Sequence, residues 1–198
     1  VETLDCVIEC NKLVNCSGLY ADIVAKFMFD STQQAFPETY VQHYARGQYF
    51  SYTRRNIFNR LIYPVPEKNL SGLGIHATID LMGRLRFGPD VHFIEDEWIN
   101  KRKFEVAHAV TEVREGKGQL LLEYKFDCTV NEQDAVKFYS CIKRYFPTVE
   151  LERLNPEYTG IRPKLQSKGG AFRDFLIQEE SQRGWKGFVN CLGIESPG

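Results

Sequence analysis

From Thr39 to Phe93 the chain is a succession of short runs rich in Tyr, Phe, Val and Ile, punctuated by turn residues. Runs spaced this closely predict an antiparallel sheet. The expected strands are Tyr40 to Tyr44, Gln48 to Thr53, Leu61 to Val65, Gly74 to Asp80 and Arg84 to Gly88, with Met82-Gly83 at the hairpin turn between the last two. Pro64 and Pro66 restrict the third run to an edge or a strand end, because proline brings no amide to a ladder.

The flanks read differently. Leu13 to Cys16 is a short apolar run, followed by Ser17-Gly18 and then by Leu19, Ile23, Val24 and Phe27 at helical spacing, so strand, tight glycine turn and helix are expected. Such a segment is either an ordinary βα connection or a place where a ligand approaches the backbone at Gly18 and meets a helix N-terminus. After the sheet, Trp98 to Tyr124 is charge-dense and reads as a hairpin or a peripheral insertion. Asn131 and Asp134 resemble an N-cap with an acidic first turn, and Ala135, Phe138, Tyr139, Ile142 and Phe146 form an apolar stripe that predicts a helix ending before Pro147. Three further strands are expected at Thr159 to Leu165, Phe172 to Gln178 and Gly187 to Leu192, which makes the fold class α+β.

Composition excludes several classes. With 198 residues, 43% of them hydrophobic and 26% charged, the chain is long and apolar enough for a core and is not a disordered or collagen-like polymer. Lys and Arg total 25 against 26 Asp and Glu, so no basic surface for nucleic acid is expected. The most apolar stretch, Leu19 to Phe29, is broken by Asp22 and Lys26 and falls short of the ~20 residues of a membrane span, and no export signal is read. Six cysteines (Cys6, Cys10, Cys16, Cys128, Cys141, Cys191) stand at irregular spacings without a CxxC pair. They read as buried, reduced thiols of an intracellular protein, with disulfides or a zinc site as the alternative.

P-loop, HExxH, GxSxG and EF-hand signatures are all absent, and Gly72-Leu73-Gly74 precedes a strand where a dinucleotide-binding turn would open a helix, so it reads as a turn. The four histidines are too scattered to form a metal set, and no metal is expected. His76, on the run Gly74-Ile75-His76-Ala77-Thr78, is either a structural histidine or a general base for a substrate hydroxyl. Arg162, directly before Pro163, is either a surface ion-pair partner or a fork for a carboxylate. The segment Asn190 to Gly198 runs from an apolar strand into a Gly, Ser and Pro turn, where a helix is expected to start near Ser196-Pro197.

Seven segments in order carry a resemblance: Val14-Asn15-Cys16-Ser17-Gly18-Leu19-Tyr20-Ala21-Asp22, Ala45-Arg46-Gly47-Gln48-Tyr49-Phe50, Tyr63-Pro64-Val65-Pro66, Gly74-Ile75-His76-Ala77-Thr78, Arg86-Phe87-Gly88-Pro89-Asp90, Gly160-Ile161-Arg162-Pro163-Lys164 and Gly193-Ile194-Glu195-Ser196-Pro197-Gly198. Together they resemble the C-terminal two-thirds of the FAD-dependent oxidoreductases of the D-amino-acid oxidase/glycine oxidase type, closest to the L-2-hydroxyglutarate dehydrogenase group. The resemblance implies an antiparallel substrate-binding sheet, residues 36–156, flanked by incomplete parts of a dinucleotide-fold FAD domain at 1–35 and 157–198. It implies FAD contacts at Cys16, Ser17 and Gly18, and at Gly193, Ile194, Glu195, Ser196 and Gly198 beside the isoalloxazine. Arg162 matches the arginine that anchors a substrate carboxylate, and His76 matches the base that takes the hydroxyl proton while hydride passes to the flavin. Tyr49 and Tyr63 match substrate neighbours.

The implied reaction is oxidation of a 2-hydroxy acid, L-2-hydroxyglutarate to 2-oxoglutarate, with electrons passed to a quinone or similar carrier in a mitochondrial or cytoplasmic enzyme. The family's GxGxxG segment is absent from these residues, and Ile99 to Glu123 look like extra material. The chain is therefore expected to be a fragment that alone binds FAD weakly or not at all and is inactive, the oxidation belonging to the parent protein. An amino-acid or amine oxidase of the same fold, and a non-catalytic truncated product, are the alternatives.

Overall fold

A computed structural model describes residues 7–65, 74–94 and 126–196. The chain divides into two compact units, Val1–Tyr44 with Ile94–Lys125 and Arg162–Gly198, and Ala45–Phe93 with Phe126–Ile161. The fold is α+β with few helices, as expected. Among the described residues no helix is long and apolar enough to cross a membrane.

In the first unit, strand β1 (Leu13–Asn15) runs parallel to β8 (Phe188–Leu192), and β8 pairs antiparallel with β7 (Leu176–Glu179). A glycine turn and one 3-10 turn, Gly18–Tyr20, lead from β1 into helix α1 (Ala21–Ser31), the strand-turn-helix that the sequence predicts. The helix buries Ala21, Asp22, Ile23, Ala25 and Phe29; Ala21, Ala25 and Phe29 line up one residue per turn in the core cluster, and of the Leu19, Ile23, Val24 and Phe27 set Ile23 is buried while the others are half-buried. Small alanines win the inner face because they allow the helix close to the sheet, and Phe29 supplies the volume, edge-on to Phe36, Tyr40 and Trp185.

A polar chain crosses this apolar core. Glu180, fully buried, accepts from Tyr40 Oη (2.8 Å), from Asn190 Nδ2 (2.8 Å) and from Arg183 Nη1 (2.7 Å). Asn190 Oδ1 in turn accepts from Asn15 Nδ2 at 2.8 Å. A buried carboxylate is tolerable because each oxygen is engaged.

The second unit is a five-stranded sheet in the order β3 (His76–Ile79), β4 (Leu85–Gly88), β2 (His43–Tyr52), β5 (His92–Phe93), with β6 (Leu154–Lys164) also paired to β2. Helix α2 (Ala135–Ile142) covers one face, where Phe50, Tyr52, Ala77, Leu85 and Phe87 pack on Phe138, Ile142 and Phe146. Asn131 caps the turn before it by accepting from the Gln133 amide at 3.2 Å.

Four expectations are corrected. Tyr40 to Tyr44 and Gln48 to Thr53 are not two strands, because β2 runs unbroken through Gly47, where a Cβ would come within 2.7 Å of Pro89. Leu61 to Val65 contributes only the bridge Ile62↔Ala77 beside Pro64. The run at Thr159 begins five residues earlier, at Leu154. Among the described residues no thiol is fully buried: Cys10, Cys16 and Cys128 are exposed, and Cys141 and Cys191 are half-buried, all five free of disulfides. On β8, Asn190 turns inward to its polar partners, so alternation sends Cys191 outward. Cys6, Pro66, Gly72, Leu73, the segment Trp98 to Tyr124, Pro197 and Gly198 lie outside the described residues.

Burial first, and the Glu180 carboxylate second, push the Tyr40 phenol up to about 12. An unfolded phenol ionises near pH ~10, so the folded state holds this proton longer, and the stability that it contributes is present below that pH and lost as pH rises toward 12. Thermal denaturation from pH 8 to 12 is expected to show a falling Tm above pH 10. Tyr40→Phe is expected to flatten that fall and to lower Tm at pH 8, since Glu180 then loses a donor.

Candidate functional site

Parallel pairing places both loops singled out from the sequence at the carboxyl ends of adjacent strands. The register Asn15↔Asn190 makes Cys16-Ser17-Gly18 leave β1 beside the place where Gly193-Ile194-Glu195-Ser196 leaves β8. In open sheets of this kind, ligands bind beyond the carboxyl ends of the strands. Asn15 is the hinge of the first loop, donating to Asn190 and to the Ala21 carbonyl (2.7 Å) while its Oδ1 accepts from the Ser17 amide at 3.3 Å.

Gln42, which carries no signal in the sequence, ties the loops together. Its Nε2 donates to the Gly18 carbonyl (3.1 Å) and its Oε1 accepts from the Gly193 amide (2.7 Å). Its own amide donates to Asp22 Oδ2 at the start of α1 (3.1 Å). The loops nevertheless differ in use of space. Gly18 has φ +58 and open space where a side chain would stand, whereas at Gly193, φ +68, a Cβ would lie 2.7 Å from Leu165. Gly18 thus leaves room for a ligand, and Gly193 is required by the packing of the chain itself.

Glu195 lies under two cations of β6. Lys164 Nζ donates to Oε1 at 2.5 Å, and Arg162 Nη1 stands 3.8 Å from Oε2, beyond hydrogen-bond reach. Glu195 Oε2 is buried without a hydrogen-bond partner among the described residues. Since Lys164 supplies the close contact, the hydrogen-bonding edge of Arg162 is not consumed by a carboxylate among the described residues, which suits it to an incoming one. Lys164 was readable as a neighbour, because residues two apart on a strand share a face.

The second unit gathers its candidates on the sheet face opposite α2. His76, Gly88 and Tyr49 stand in one row across β3, β4 and β2, and Thr78, Arg86 and Ser51 in the next. A Cβ at Gly88 would lie 2.8 Å from the Tyr49 ring, so the missing side chain makes the room that the ring occupies. Tyr49 stacks on Tyr158 at 4.5 Å, and Tyr63 stacks on His76 at 4.5 Å with the planes 24° apart. His76 is buried, and its Nδ1 lies 3.3 Å from the Gly74 carbonyl. A carbonyl only accepts, so this contact puts the ring proton on Nδ1 and makes Nε2 the basic nitrogen. Arg86 on the same face is consumed, donating from Nε to Glu157 Oε1 (2.7 Å) and Oε2 (2.8 Å), a pairing that raises the pKa of its guanidinium.

Two other features of the second unit lie apart from these residues. Asp90, His92 and Asp134 bring ligand atoms within 4.8 Å of one another, but Gln48 Nε2 donates to both carboxylates and Lys137 Nζ reaches Asp90 Oδ2 at 3.3 Å, so a cation would have to displace these donors. A cavity of about 430 Å³, lined by Ile75, Pro89, Val91, Cys141 and Tyr145 among others, opens on the α2 side and contains none of the expected site residues.

The profile of the family "FAD dependent oxidoreductase" (DAO) matches residues 1–198. The mitochondrial L-2-hydroxyglutarate dehydrogenase of Arabidopsis thaliana is 40% identical over 95% of this chain and 34% of its own length. Glycerol 3-phosphate dehydrogenase of Caloramator mitchellensis is 26% identical over 94% of the chain and 30% of its own length. L-2-hydroxyglutarate dehydrogenase of Escherichia coli K12 is 25% identical over 85% and 40%. Dithionite-reduced L-alpha-glycerophosphate oxidase from Mycoplasma pneumoniae with FAD bound superposes with a TM-score of 0.56 at 18% identity, over 94% of this chain and 38% of that one. The chain thus spans between 30% and 40% of the length of these proteins.

Loss of the Gln42 bridge is expected to loosen both loops at once. Gln42→Ala leaves the buried Gly193 amide unpaired and is expected to cost about 2 kcal/mol in denaturant unfolding. Gln42→Glu keeps an acceptor for Gly193 but sets a buried carboxylate oxygen against the Gly18 carbonyl in place of a donor, and is expected to cost at least as much as the alanine variant.

Proposed function

The chain belongs to the FAD dependent oxidoreductase family, and from that premise we propose that the protein oxidises L-2-hydroxyglutarate to 2-oxoglutarate. The observation that carries this substrate is the 40% identity to the plant dehydrogenase across 95% of the chain. The loops described above fit the family's cofactor, since Gly18 leaves open space at a strand end and Glu195 Oε2 is a buried acceptor in want of a donor. Cys16, Ser17 and Gly18 after β1, and Gly193, Ile194, Glu195 and Ser196 after β8, would hold it. Bound FAD supplies the two-electron acceptor for the hydride leaving C2 of the substrate.

In this reading His76 Nε2 takes the hydroxyl proton as that hydride departs, so the substrate loses one proton and one hydride and becomes the 2-oxo acid. The Tyr63 ring against the imidazole holds its plane, and the Gly74 carbonyl holds its tautomer. Arg162 takes a substrate carboxylate through two parallel hydrogen bonds, and Tyr49 borders the same substrate. These roles, with 1–35 and 157–198 as cofactor segments around a substrate sheet, make up the proposal. A quinone-type carrier as the electron acceptor and a mitochondrial location belong to it as well, the latter supported by the plant relative's name.

A second reading, oxidation of glycerol 3-phosphate, is favoured by the Caloramator relative. Anaerobic bleaching of the flavin band in the FAD-loaded protein separates the two, with a D-amino acid as a third arm. Bleaching by L-2-hydroxyglutarate alone is expected, and bleaching by glycerol 3-phosphate or the amino acid instead sinks the proposal. Arg162→Ala is expected to lower kcat/KM on the order of 10²-fold. His76→Ala is expected to lower kcat at neutral pH with the flavin still bound, and full turnover in that variant would remove His76 as the base.

A further inference from the structure

Cys16 and Cys191 are one step beyond the paired asparagines. Extended by one residue, the parallel register Asn15↔Asn190 brings Cys16 opposite Cys191, near enough for the Cys16 thiol to bear on the Cys191 pKa. Alternation turns both away from the buried asparagines, toward the outer face of the three-stranded sheet where Val14 (54%) and Ile177 (69%) are exposed. Adjacent strands lie roughly 4.8 Å apart, within the Cα separation of about 4.4–6.8 Å that a disulfide spans. Cys16 stands just past the end of β1, where no ladder bond fixes its backbone, which gives the sulfur freedom to reach the required dihedral.

From this juxtaposition we propose that Cys16 and Cys191 form a dithiol site that low-molecular-weight disulfides convert to an intramolecular disulfide. Cys16, the exposed member, attacks first as the thiolate. Its sulfur bonds to one sulfur of the reagent, the reagent's S–S bond breaks, and one reagent thiolate leaves with the electron pair. Cys191, deprotonated to solvent, then attacks the Cys16 sulfur of the mixed disulfide and expels the second reagent thiolate. The protein loses two electrons and two protons, and the reagent disulfide is reduced to two thiols. Burial, and secondarily the neighbouring thiol, push the Cys191 pKa up, which fits a resolving partner more than a first nucleophile. The new bond ties the turn that opens on Gly18 to β8. Cys10 and Cys128 are exposed, and with no thiol paired to them in this way among the described residues they stop at the mixed disulfide.

Oxidised glutathione added to the full chain, followed by alkylation of residual thiols and peptide mass spectrometry, tests the assignment without reference to flavin or turnover. The expected product is a Cys16–Cys191 cross-linked peptide two hydrogens lighter than the pair, with glutathione adducts on Cys10 and Cys128. In Cys191→Ser the adduct is expected to persist on Cys16. A stable glutathione adduct on Cys16 in the unsubstituted protein, a cross-link from Cys16 to any other cysteine, or no modification of Cys16 would overturn it.

Discussion

The hydrogen bond between the Asn15 and Asn190 side chains at 2.8 Å is the contact from which the first unit is organised. It closes the parallel pair β1–β8 at its carboxyl end and fixes the register that sends two loops out side by side. Asn190 is held by Glu180, and Glu180 by Tyr40 and Arg183, so the amide that sets the loops is anchored to a carboxylate within the core. Networks of this kind are stabilising only when fully satisfied. Gln42 then spans the same gap from the other side, contacting one backbone group of each loop. A cofactor that binds across both loops meets a surface whose shape is set before it arrives, which reduces the ordering cost of binding.

The second unit follows from the period of two in its strands. The inward residues Phe50, Tyr52, Ala77, Leu85 and Phe87 of β2, β3 and β4 are apolar and pack with α2, while Gln48 on the same face of β2 is buried among polar partners. The alternate residues His76, Tyr49, Thr78, Arg86 and Ser51 stand on the opposite face, so one face makes the core and the other carries the polar and aromatic side chains. On that second face Arg86 is neutralised by Glu157. In the first unit Lys164 makes the close contact with Glu195, and Arg162 stands 3.8 Å from its Oε2.

Local signals in the sequence were legible and long-range ones were not. The Ser17-Gly18 turn, the Met82-Gly83 hairpin and the Asn131 cap depend on residues within a few positions and appear where the sequence places them. The stripe from Ala135 to Phe146 is the buried face of α2 and its exit. Gly47 reads as a break between strands, but it is demanded by Pro89, forty-two residues away. Gln42 reaches Gly18, 24 residues before it, and Gly193, 151 residues after it, a pairing that no periodicity announces. The cysteines mislead for a related reason: hydrophobic surroundings in the sequence say nothing of which face of β8 Asn190 has claimed.

The central claim is that one cofactor contacts both loops at the carboxyl ends of β1 and β8. Amide hydrogen exchange of the FAD-loaded protein against the same protein after flavin removal measures it directly. The account predicts that the flavin slows exchange in peptides covering residues 15–20 and 190–196 together. Protection of only one of these segments, or of neither, would contradict it.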